Sequence, residues 1–111
     1  MKKQIVNPPL SPACRLIVQF GNRWALVTLI TLREHGTLRF RELLAAVPGG
    51  ISERMLASTL QELESLGLIS RTAYPEIPPR VEYAVTSRTA TLFPILRELI
   101  AWAEANAPRG E

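Results

Sequence analysis

The chain has 111 residues, nearly half of them apolar, a formal charge of +3, and no aspartate at all. That is one domain's worth of chain, able to build a core yet small enough to gain from pairing with a second copy. One cysteine excludes an internal disulfide framework, no apolar run is long enough to span a bilayer, and the mild basic excess admits an anionic partner without requiring one.

Residues 1–10 carry Asn7-Pro8-Pro9 and read as a loose arm rather than a secretory leader, so a reducing, cytoplasmic setting with no membrane partner is expected. Ser11-Pro12 reads as a helix start, with serine as N-cap and proline at the first helical position. The helix would run to about Phe20, show Leu16, Ile17 and Phe20 on one side, and stop at Gly21-Asn22. Residues 24–34 read as a second helix. Leu26, Val27, Leu29, Ile30 and Leu32 make it apolar nearly all round, which places it in the middle of the fold.

The stretch "LRFRELLAAVPGGISERMLASTLQELESLGLI" follows. Phe40, Leu43, Leu44 and Val47 recur at helical spacing, and Pro48-Gly49-Gly50 breaks the chain. Ser52 caps a new helix on which Met55, Leu56, Leu60, Leu63 and Leu66 form one stripe, and Gly67 stops it. Two short helices joined by a glycine-bearing turn are a helix-turn-helix candidate over residues 37–67.

Two segments of alternating polarity come next, in "ISRTAYPEIPPRVEYAVT". They read as a β-hairpin over 68–86 whose tip holds three prolines between Arg71 and Arg80. A last helix is expected from about Thr89 to Asn106, with Leu92, Ile95, Leu96, Leu99, Ile100 and Trp102 apolar and Pro94 near its start. That stripe is either the edge of one core or a dimer seam. The seam is favoured, because the central helix already needs its own cover.

The expected fold is therefore mainly α with a small β-hairpin (α+β): a winged helix-turn-helix over 11–106. The second helix of such a pair enters the major groove of DNA. With the leucines inward, Ser52, Glu53, Arg54, Ala57, Ser58 and Gln61 face out as base-reading candidates: Arg54 suits guanine, Gln61 adenine, and Glu53 cytosine N4. Arg39 and Arg41 open the first helix of the pair and are backbone candidates, as are Arg71 and Arg80 at the wing. The alternative for Arg71 and Arg80 is an exposed strand pair with Glu76 or Glu82. Against the DNA reading, residues 52–66 hold three glutamates and one arginine.

The stretches "GNRWALVTLITL", "LRFRELLAAVPGGISERMLASTLQELESLGLISR" and "YPEIPPRVEYAVT" together resemble the HxlR-type regulators, a branch of winged-helix transcription factors. The resemblance spans about Ser11 to Trp102. It implies a dimeric DNA-binding regulator whose terminal helices form the dimer, here through Leu16 and Phe20 together with Leu92, Ile95, Leu96, Leu99 and Trp102. Many members carry an N-terminal Cys-Pro, and in some that cysteine senses oxidants. The matching position here is Ser11, with Cys14 one turn later, so the redox role does not carry over by position. Cys14 stands as a candidate thiol switch against the ordinary reading of a small buried hydrophobe. The family usually has Gly-Gly-Lys-Trp where Gly21, Asn22, Arg23 and Trp24 stand here, and often a serine or threonine at the place of Ala57.

Three function classes follow. The first is a regulator binding double-stranded DNA as a homodimer, most readily a repressor, with room for an unidentified small-molecule effector. The second is a winged helix used only for protein contacts. The third, an enzyme, lacks a plausible catalytic set: there is one histidine, His35, no aspartate, no cysteine pair and no phosphate-cradling glycine motif. A lone histidine makes no metal site, and no cofactor is expected.

Overall fold

The computed structural model describes residues 11–13 and 24–108. Pro12 and Ala13 are helical directly after Ser11, as the capping pattern requires. The readings placed on residues 1–10 and on Cys14, Leu16, Ile17 and Phe20 fall outside the described residues.

The elements run α1 (Ala25–His35), β1 (Leu38–Arg39), α2 (Phe40–Ala46), α3 (Glu53–Ser65), β2 (Ile69–Tyr74), β3 (Arg80–Val85), α4 (Ser87–Ala90) and α5 (Phe93–Asn106). The strands form one antiparallel sheet in the order β1-β3-β2. The hairpin register pairs Ile69 with Val85, Arg71 with Tyr83 and Tyr74 with Arg80. β1 adds two residues along β3, placing Arg39 opposite Glu82.

Helix α1 is the central element. Leu29 and Leu32 are fully buried and pack in one cluster with Leu43 of α2, Leu56, Leu60 and Leu63 of α3, Ile69 of β2, and Phe93 and Leu96 of α5. Trp24, at the N-terminal end of α1, packs against this cluster. Gly49 in the turn between α2 and α3 has φ +100, and a Cβ there would meet the Trp24 ring at 3.2 Å. The turn therefore takes glycine both for its backbone conformation and to let the indole approach.

Helix α3 ends in a double backbone closure: the Gly67 N–H donates to the Glu64 carbonyl and the Leu68 N–H to the Leu63 carbonyl, with Gly67 at φ +77. The residues after the wing grip the same point. Arg88 Nη1 donates to the Leu66 carbonyl at 2.7 Å, Thr86 Oγ1 to that of Gly67 at 2.8 Å, and Thr89 Oγ1 to that of Leu68 at 2.6 Å. The C-terminal end of α3 is thus tied to the segment that leads into α5.

Three expectations change. The last helix is not continuous: α4 ends at Ala90 and α5 begins at Phe93. Pro94 has no N–H to donate to the Ala90 carbonyl, so a helix running straight through would lose that bond and suffer a clash. Met55 is not on the buried stripe of α3; it is 39% exposed, and Thr59 takes the inward place. On α5, Leu96 is 5% exposed and Leu92 half-buried, so both pack in the chain's own core instead of facing outward.

Candidate nucleic-acid interface

Helix α3 separates its faces sharply. Leu56, Thr59, Leu60 and Leu63 point into the core, while Ser52, Glu53, Arg54, Ala57, Ser58 and Gln61 are all exposed. Ser52 begins the helix by accepting a hydrogen bond from the Met55 N–H at 3.0 Å. No part of the described chain covers the outward face of Ser52, Arg54, Ala57, Ser58 and Gln61.

The charges nearby divide into paired and unpaired. Arg41 of α2 reaches across the turn to Glu53, Nη1 to Oε2 at 2.7 Å, with both side chains largely in solvent. The pair offsets the charge of two residues that are each candidates for a DNA contact. An exposed pair of this kind contributes little to stability and is open to exchange of partners. Arg39 precedes α2, where its backbone N–H donates to Glu42 Oε1 at 2.8 Å. Its guanidinium makes no ion pair among the described residues, and the same holds for Arg54 and Arg71, all three exposed.

A groove runs between α3 and the wing. Ala57, Gln61 and Glu64 line it from α3, Arg71 and Tyr83 from the sheet, and Phe40 from α2. The structure thus brings Gln61 and Arg71, ten positions apart, to one surface.

Arg80 differs from the expectation of a free phosphate contact. Its guanidinium donates to Glu76 at 2.9 Å and to Glu82 at 3.1 Å, and lies 3.8 Å from the centre of the Tyr74 ring. Only 26% of the side chain is exposed. Two carboxylates and an aromatic face hold it on the hairpin itself, which is the strand-pair alternative seen in the sequence. The peptide between Ile77 and Pro78 is cis.

Sequence reasoning missed β1, the inward Thr59 and the Arg88 contact to the end of α3. The glycine at position 67 was the one available signal for the last of these, since a Cβ there would stand 2.8 Å from Arg88 Nη1. No group of three or more histidine, cysteine or glutamate side chains among the described residues is placed to hold a metal ion, and no described helix is long and apolar enough to cross a membrane.

A helix pair joined by a glycine turn, an open polar face on its second member and a hairpin beside it define a winged helix-turn-helix protein. The model of the HxlR-like helix-turn-helix family matches residues 19–111. A helix-turn-helix-type transcriptional regulator of Halalkalibacterium halodurans is 40% identical over 104 residues, covering 94% of this chain and 88% of that one. The transcriptional regulator YtfH of Escherichia coli is 40% identical over 97 residues, 87% of this chain and 75% of its own. Among solved structures, the reduced form of the transcriptional regulator YodB from B. subtilis superimposes with a TM-score of 0.78 at 31% identity, covering 93% of this chain and all of that one. The chain belongs to the HxlR-type family of helix-turn-helix transcriptional regulators.

Proposed function

We propose that the protein binds double-stranded DNA as a homodimer at a near-palindromic operator and represses transcription by blocking access of polymerase. The observation that carries this reading is the open outward face of α3, where Ser52, Arg54, Ala57, Ser58 and Gln61 stand exposed beside a groove that also holds Arg71. Arg54 and Gln61 are the side chains with the geometry for guanine and adenine, and Ser58 suits a base or a phosphate. Arg71 and Arg39 supply unpaired charge for the sugar-phosphate backbone, while Arg80 acts by holding the wing in shape.

The exposed apolar side chains of α5 support the dimer. Ile95, Leu99, Ile100 and Trp102 are exposed there, and Trp102 at 65% is an unusually open indole for a single small domain. Two copies joined along α5 would set their reading helices about one helical turn apart, ~34 Å. Because Arg88, Thr86 and Thr89 bind the end of α3, a shift of α5 would be passed to the reading helix. A small-molecule effector acting at the seam would work through that link.

The second reading, a winged helix for protein contacts alone, is favoured by the acidic balance of α3, where Glu53, Glu62 and Glu64 face one arginine. Selection of bound sequences from random duplex DNA separates the two. The DNA reading expects an enriched near-palindrome; the protein-contact reading expects none.

A further inference from the structure

Ile77 stands at the tip of the wing with its side chain wholly in solvent, 101% exposed. Pro75, Pro78 and Pro79 surround it, and the last paired residues beneath it are Tyr74 and Arg80. Proline fixes φ, so the tip gives up little freedom when it is held against a partner. The charged groups of the tip are directed at each other: Arg80 binds Glu76 and Glu82 and lies on Tyr74. That cluster leaves Glu76 half exposed, and Ile77 is the apolar side chain the tip holds out beyond it.

We propose that Ile77 is the contact the wing tip makes with DNA, an apolar side chain laid in the minor groove that flanks the site read by α3, where it favours deformable pyrimidine–purine steps. The inference rests on the DNA reading above. One isoleucine is far too small a patch for a stable protein interface. One or two apolar side chains are, however, what minor-groove wedges consist of, and their preference follows the ease of unstacking.

The test compares wild type, Ile77→Ala and Ile77→Leu on DNA selected by the wild-type protein, with affinities at several salt concentrations and base preferences by repeated selection. Ile77→Ala should bind about tenfold more weakly, lose preference only at the flanking steps, and keep the wild-type dependence on salt, because no charge is removed. Ile77→Leu should retain most of the affinity. Unchanged affinity and unchanged flanking preference in Ile77→Ala would overturn the wedge while leaving DNA binding intact. Failure of the wild-type protein to bind any duplex would instead overturn both this inference and the reading beneath it.

Discussion

The guanidinium of Arg80 lies 3.8 Å from the centre of the Tyr74 ring, and these two residues are the last paired positions before the wing tip. With Glu76 and Glu82 also bound to it, Arg80 closes the hairpin at its far end. Arg80→Ala should destabilise the fold by roughly 1–2 kcal/mol through lost stacking and two unpaired carboxylates. It should weaken DNA binding without changing the salt slope. Thermal melting and salt-dependent binding measure the two effects separately. A salt slope shallower by a full unit would instead make Arg80 a phosphate contact.

Arg71 has the opposite signature. It is exposed, unpaired among the described residues, and lines the groove beside Gln61. Arg71→Ala should weaken all duplexes alike and reduce the salt slope by about one unit. Arg54→Ala should lose about 1–3 kcal/mol on the preferred site and loosen preference at one base pair. Binding titrations on matched and mismatched duplexes distinguish them.

Thr59 is buried on the core side of α3, and its hydroxyl has no hydrogen-bond partner among the described residues. Exchanging that hydroxyl for a methyl group removes a desolvated polar atom while nearly keeping the volume. Thr59→Val should therefore stabilise the protein by about 1 kcal/mol, read as a higher midpoint in urea with an unchanged slope.

The exposed ridge of α5 predicts the assembly. Trp102→Ala should weaken self-association by at least about 30-fold, the loss typical of a central aromatic anchor worth 2 kcal/mol or more. Analytical ultracentrifugation across a concentration series checks it. The fold of the single copy should survive, since Trp102 lies outside the core cluster.

Much of this fold was readable residue by residue. Leu56, Leu60 and Leu63 on the inner face of α3, the serine cap and the Gly67 stop follow from local periodicity and local capping chemistry, and both wing strands fall within the expected hairpin. What escaped depends on groups distant in the chain. β1 has two residues, too few to show any period, and exists because β3 has an open edge for it. The Arg41–Glu53 pair spans twelve positions and a turn. Arg80 was visible as a basic residue beside prolines, but its commitment depends on the hairpin register that sets Tyr74 opposite it. Leu92 and Leu96 share the apolar stripe of Ile95 and Leu99, and only the break before α5 assigns them to the core.

The reading face of α3 is tested most directly by selecting bound sequences from random duplex DNA at two salt concentrations, with wild type and Arg54→Ala side by side. The wild-type protein should enrich a near-palindromic sequence at both concentrations, bind it less tightly at the higher one, and Arg54→Ala should lose preference at one position in each half. Absence of any enriched sequence at either salt concentration, or an identical motif from Arg54→Ala, would contradict base reading by this helix.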